Sequence, residues 1–227
     1  MNIYRKNISK RLEYRKKYGL SEDKIIVLYR GRFVRVKGLL ELIVAIKRLN
    51  KNEELRKRAL FLFVGDGPLK KIAIKELDQY NNCRIMSWTP RERVHELYIA
   101  SDIFVLPSKW HEAFPLVTLE AMAANLYIIA SRKGGLPDVL KGYRRKRYLK
   151  IPNAEEIVKT LIHVIANWNS YGERNEIDRY VEQFDWARVV AKIESVYEQI
   201  LAENNLTKKA HYLKAVSYTH LRAHETS

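Results

Sequence analysis

Two glutamates with seven residues between them, Glu112 and Glu120, frame the stretch of this chain best suited to chemistry. Ahead of Glu112 runs Ile103-Phe104-Val105-Leu106-Pro107-Ser108, an apolar strand pattern that stops at a loop. Pro115 suits the first position of a helix, because the N–H it lacks would be unsatisfied there anyway. Residues 116–124 continue as that helix, so Glu112 is expected just before a helix N-terminus and Glu120 a turn inside it. Backbone N–H groups and the positive end of the helix dipole between them suit a phosphate. If every intervening residue were helical, the two carboxylates would lie about 12 Å apart along the axis. An extended ligand with hydroxyls at both ends and phosphate in the middle fits that separation, and a nucleotide sugar has this layout.

Other chemistries find less support. Gly65-Asp66-Gly67 invites a dinucleotide-binding reading, but it is shorter than that fingerprint and follows the second strand rather than the first. A tight turn is the simpler expectation. No Asp-x-Asp pair follows a strand, and the histidines outside the last dozen residues lack ligand spacing, so no divalent metal is implied. His111 beside Glu112 is placed to act as a base or simply to vary as a loop residue. Nothing has the Ser/His/Asp or Cys/His pattern of a covalent nucleophile.

The elements that must position these groups are short and apolar. Strands are expected at residues 24–29, 59–64, 83–86, 102–106 and 126–130. Helical periodicity lies between them, clearest in Leu39, Leu40, Ile43, Val44, Ile46 and Leu49. Strands alternating with helices give an α/β fold with a doubly wound parallel sheet, whose ligands bind beyond the carboxyl ends of the strands. From Asn153 the pattern is helical, with a stripe at Ile157, Leu161, Ile162 and Ile165. A second stripe runs through Trp186, Val189, Val190, Ile193, Val196, Tyr197 and Ile200.

At 227 residues the chain can bury a substantial core. No apolar stretch is long enough to cross a bilayer, and no secretory signal pattern opens it. Cys83 is the only cysteine, which excludes an internal disulfide and is compatible with a reducing cytoplasm. The formal charge of +16 concentrates in residues 5–17 and 141–150. Such clusters form a solvated surface, a peripheral contact with an anionic membrane, or a nucleic-acid site. Nucleic acid ranks last, because no recognition motif accompanies the charge.

Pro107-Ser108, the Glu112-to-Glu120 segment, Glu120-Ala121-Met122-Ala123, Ile128-Ile129-Ala130-Ser131 and Gly134-Gly135-Leu136-Pro137-Asp138 together resemble the donor-binding half of a GT-B glycosyltransferase. The match is to family 4, the retaining enzymes of group 1, and runs over residues 24–202. The resemblance implies a Rossmann-like C-terminal GT-B domain with C-terminal helices. It also implies a nucleotide-diphospho sugar donor, a glycan or lipid-linked acceptor, and no cofactor or metal. By it, Gly31, Arg32 and Lys37 meet the diphosphate. Two fixed cations stabilise the negative charge that builds on that group as it departs, Arg32 as a fork and Lys37 as a point charge. Both also read as ordinary surface cations of a lysine-rich protein.

Glu112 is similar to the glutamate that contacts the transferred sugar, and Glu120 to the one that binds the ribose. That makes Arg32, Lys37 and Glu112 the expected catalytic residues. Backbone N–H groups of Ala113, Phe114, Leu116 and Val117 would meet phosphate, with the Thr118 hydroxyl added. Gly65 would turn the chain near the nucleotide, and Trp88 and Thr89 would flank the base. Trp88 also reads as packing. Ala113 stands where the family has glycine. Asn125 replaces another glycine but tolerates the left-handed conformation that ends a helix.

The expected organisation is a basic lead-in at residues 1–23, left from an interdomain region, then a nucleotide-sugar-binding domain at 24–205 and a tail at 206–227. Residues 216–227 resemble translated sequencing-adapter sequence. The family's acceptor-binding domain is not in this sequence, so a missing domain or partner subunit is expected. A non-catalytic nucleotide-sugar-binding subunit stays open as an alternative, as does a peripheral place on the cytoplasmic membrane face.

Overall fold

The computed structural model of the protein describes residues 2–171 and 179–203. Six strands, β1 (Ile25–Arg30), β2 (Ala59–Val64), β3 (Cys83–Met86), β4 (Ile103–Leu106), β5 (Tyr127–Ser131) and β6 (Lys146–Leu149), form one sheet in the order β3-β2-β1-β4-β5-β6. Every neighbouring pair is parallel, with Tyr29 opposite Phe63 and Val27 opposite Ile103. The expected doubly wound α/β sheet is therefore present. Its strand order reverses between β1 and β4, the switch point beside which such sheets bind ligands.

Among the described residues the α-helices, in chain order, are α1 (Asn2–Asn7), α2 (Arg11–Lys17), α3 (Leu39–Leu49), α4 (Glu53–Arg58), α5 (Lys70–Leu77), α6 (Val94–Ala100), α7 (Leu116–Ala123), α8 (Leu136–Leu140), α9 (Ala154–Ala166) and α10 (Trp186–Glu203). On one sheet face, Val27, Tyr29, Phe61, Val105 and Ile129 pack with the buried stripes of α3 and α9. The alternating residues Ile26, Leu28, Phe104 and Ile128 are just as buried, which fits a period of two with both faces covered. Asn153 starts α9 by accepting the Glu156 N–H at 2.8 Å, and Glu155 and Glu156 add favourable charge in the first turn.

The N-terminal residues are packed into this domain. Arg15 is fully buried and donates to Ala100, Ser21, Glu22 and Lys24 carbonyls as well as to the Asp102 carboxylate. Arg11 also pairs with Asp102, and Lys17 pairs with Glu96 at 2.7 Å. Arg11, Arg15 and Lys17 of the 5–17 cluster are thus ion-pair partners rather than a purely solvated surface.

The chain divides into two compact units, residues 1–181 and 182–227. The second contains α10, along which Ile193, Val196 and Tyr197 are exposed, and an Arg188–Glu182 ion pair of 2.9 Å. The proposed tail at 206–227, with its adapter-like end, lies outside the described residues.

Candidate functional site

The loops that leave β1 and β4 meet beyond the carboxyl ends of the sheet. Gly38, at the end of the first loop, has φ +71°, and an added Cβ would lie 1.9 Å from the Pro107 carbonyl oxygen. Only glycine permits that approach together with that backbone. From the other side, the loop after β5 presses on the backbone of Glu112. Gly134 has φ +56° and no room for a Cβ against Glu112, and the Gly135 N–H donates to the Glu112 carbonyl at 2.6 Å.

Between these supports, Lys37 Nζ donates to both carboxylate oxygens of Glu112, at 2.6 and 2.8 Å. Ser108 Oγ donates to Glu112 Oε1 at 2.7 Å. Glu112 is 8% exposed, and these donors satisfy its charge, as a buried carboxylate requires. Lys37 and Glu112, expected at one site, are therefore in direct contact. Ser108 is an additional member, and its position four residues before Glu112 was the available sign.

Pro115 is placed differently from expectation. It occupies the N-cap with extended backbone (φ −77°, ψ 96°), and α7 starts one residue later. Residues 112–115 are not helical, so the axial separation expected for an unbroken helix does not apply. The helix has no side-chain cap, which leaves the N–H groups of Leu116 and Val117 at its open end. Leu116, Phe114 and Ala113 are exposed beside it. The Thr118 hydroxyl is buried without a hydrogen-bond partner among the described residues, and its N–H donates to the Pro115 carbonyl at 2.9 Å. Asn125 does end the helix in the left-handed conformation, at φ 55°.

Glu120, a turn into α7, belongs to a second cluster that the sequence did not reveal. Its Oε2 accepts from Arg30 Nη1 and from the Tyr98 hydroxyl, both at 2.8 Å. The Arg30 guanidinium carbon lies 5.5 Å from the Trp88 ring centroid and 5.7 Å from that of Tyr98. Burial, and after it the charge of Glu120, pushes the Tyr98 phenol upward, which keeps it a proton donor to the carboxylate. Trp88 is 46% exposed, so one part of it packs on Arg30 while the rest faces solvent. A charged residue closing an otherwise apolar strand was the only hint of Arg30.

The remaining expected residues flank these clusters. Arg32 is exposed, with no ion-pair partner among the described residues, and its carbonyl accepts from the Tyr29 hydroxyl at 3.2 Å. Gly31 donates to Val64 at 3.1 Å, and Gly65 stacks its backbone on Gly31. Thr89 is half-buried and His111 exposed. Among the described residues, no three His, Cys, Asp or Glu side chains gather as metal ligands. A cavity of about 860 Å³ opens elsewhere, along β6 and α9, and shares no lining residue with these clusters. Within it Glu156 is already committed to the N–H groups of Lys150 and Ile151. Its size therefore does not displace the switch point, where Lys37 pairs with Glu112 and Arg30 with Glu120.

A family model described as "Glycosyl transferases group 1" matches residues 10–184. TuaC of Bacillus subtilis, named as a candidate teichuronic acid biosynthesis glycosyltransferase, is 29% identical over 215 residues, covering 95% of this chain and 46% of that protein. A sucrose-phosphate synthase structure from Thermosynechococcus elongatus superposes with a TM-score of 0.70 at 24% identity, covering 85% of this chain and 49% of the other. Anabaena HepE in complex with UDP-glucose gives 0.67 at 18%, covering 84% and 53%. At these identities the structural likeness is one of fold, the α/β Rossmann-like sheet of GT-B glycosyltransferases. The chain spans about half the length of the curated relatives it matches.

Proposed function

The chain belongs to the glycosyl transferases of group 1, and from that premise we propose that it is the donor-binding part of a retaining, metal-independent family 4 enzyme. Its substrate would be a nucleotide-diphospho sugar, and its acceptor a hydroxyl on a glycan or a lipid-linked molecule. The observation that carries this reading is the contact of Lys37 with Glu112 across the switch point, beside the uncapped end of α7.

In this reading the diphosphate lies on the N–H groups of Leu116 and Val117, with Lys37 and Arg32 on its flanks. The helix end and the cations attract it together. Glu112, fixed by Ser108 and by the glycine loop behind it, accepts hydroxyls of the sugar. Glu120 accepts a ribose hydroxyl, and Trp88 and Thr89 border the base. The acceptor oxygen bonds to the anomeric carbon on the face from which the diphosphate leaves. The electron pair of the broken bond passes to the diphosphate oxygen, which also takes the acceptor's proton. Lys37, Arg32 and the helix dipole stabilise that charge as it forms, in the role a metal fills elsewhere.

Names among the relatives agree with a phosphorylated donor and varied acceptors. HepE was solved with UDP-glucose, and other relatives are named as an N-acetyl-alpha-D-glucosaminyl L-malate synthase and a phosphatidylinositol N-acetylglucosaminyltransferase subunit. The basic clusters suit a cytoplasmic protein at the membrane face. No described helix is long and apolar enough to cross a membrane.

A second reading is favoured by the span of about half of each relative. These residues would then bind the nucleotide sugar and turn it over only when an acceptor-binding domain or subunit is supplied. Thermal unfolding with UDP-, GDP- and ADP-sugars tests the shared premise. At a hundred times Kd, a bound ligand adds about 2.7 kcal/mol of stability. One nucleotide class should raise Tm, and Lys37→Met should remove the rise; no rise with any of them would overturn both readings. Radiolabelled transfer, with and without an acceptor-binding partner, separates the two.

A further inference from the structure

The geometry points to Arg30 as a positioning residue that holds Glu120 for the ribose, an assignment that rests on the donor-site reading above. Arg30 is the last residue of β1, and its side chain is only 14% exposed. It reaches Glu120 on α7, Tyr98 on α6 and Trp88 beyond β3, so one guanidinium joins three separate elements. Its Nε is buried without a hydrogen-bond partner among the described residues. An unpaired buried donor costs stability, and packing alone does not call for one.

The two oxygens of Glu120 are unequal. Oε2 carries both protein donors, Arg30 Nη1 and the Tyr98 hydroxyl. Oε1 accepts from no described residue, and the side chain is 31% exposed. A carboxylate on a half-exposed helix face ordinarily samples several rotamers and loses that freedom when it binds. Here Arg30 and Tyr98 pin one oxygen in advance, which aims the other at the ligand and lowers the ordering cost of binding. The Trp88 ring beneath the guanidinium keeps the cation in place. Arg30 need not touch the nucleotide for this effect.

Calorimetric titration of the full chain tests the assignment with three probes: a nucleoside diphosphate, its 2′,3′-dideoxy analogue and inorganic pyrophosphate. UDP, GDP and ADP are tried first on the wild type. Arg30→Met should weaken the nucleoside diphosphate by about tenfold or more, the loss expected for a charge-assisted hydrogen bond. The dideoxy analogue and pyrophosphate should bind the variant and the wild type alike. Tyr98→Phe, which keeps the ring and removes one donor, should show the same ribose-dependent loss at smaller size, and it carries the test if Arg30→Met does not fold. Equal weakening of all three probes, or no weakening of any, would overturn the positioning role while leaving the donor site intact. Failure of the wild type to bind any nucleoside diphosphate would overturn the donor-site reading and this assignment with it.

Discussion

The ammonium of Lys37 bridges both carboxylate oxygens of Glu112, tying the loop that leaves β1 to the loop that leaves β4. Because β1 and β4 flank the reversal in strand order, this ion pair spans the switch point of the sheet. Its two members also have different tasks in the proposed reaction.

The first prediction separates those tasks. Glu112→Gln keeps the shape but weakens the grip on the sugar, so transfer by the complete enzyme should fall by about 10²–10³ while nucleoside diphosphate affinity holds. Lys37→Met should weaken the nucleoside diphosphate itself. It also leaves Glu112 with the Ser108 hydroxyl as its remaining side-chain donor, at a stability cost of about 1–3 kcal/mol. Steady-state kinetics, calorimetry and urea unfolding read these effects. Identical behaviour of the two variants would contradict the division.

Glycine contacts set the spacing of the loops. Gly38→Ala would force a Cβ to within 1.9 Å of the Pro107 carbonyl, in a left-handed conformation. Gly134→Ala would do likewise against the backbone of Glu112. Each should cost about 1–3 kcal/mol by denaturant unfolding and weaken nucleotide binding. An alanine variant with wild-type stability and affinity would show that the close approach is dispensable.

The N-terminal helices should be essential for stability. Asp102 accepts from Arg11, from Arg15 and from the Ile26 N–H at 2.7 Å. Asp102→Ala leaves the fully buried Arg15 without its counter-charge, at a cost of about 3–5 kcal/mol. Urea midpoints will measure it. Arg15→Met with Asp102→Ala should lose less than the sum of the single losses, because the buried charge leaves with its partner.

Much of the sheet was legible because β1, β2, β4 and β5 are buried on both faces and read as nearly continuous apolar runs. Residues 59–64 and 83–86 were placed to the residue, and the other three expected strands within one. The edge strand β6 escaped notice because it pairs only with β5 and carries Lys146 and Arg147, which read as part of a basic cluster. Glu112 and Lys37 could be assigned to one site because the family resemblance places both there and each follows a strand pattern at the same end of the sheet. Arg30 with Glu120, and Arg15 with Asp102, could not. Those contacts join residues 90 and 87 positions apart and leave no local pattern. Pro115 fell one place off, since a proline is compatible with either side of a helix start.

Cys83 offers a check on the interior of β3. Burial pushes its thiol up to about 12, against the smaller opposing effect of the Asn50 amide. The folded chain should therefore react slowly with iodoacetamide at pH 8.5, and urea-unfolded chain much faster. The shift also has a consequence for stability. The unfolded thiol releases its proton from about pH 8.5 upward, while the folded one holds it until near 12. The thiol's contribution is thus complete below the first value and declines as pH rises toward the second. Alkylation at equal rates in folded and unfolded chains would contradict this.

A crystal structure with the nucleoside diphosphate that binds tests the central claim most directly. The diphosphate should lie within hydrogen-bonding distance of Lys37 Nζ and the N–H groups of Leu116 and Val117, with a ribose hydroxyl on Glu120. Density for the nucleotide along β6 and α9 instead, with Lys37 and Glu112 untouched, would contradict it.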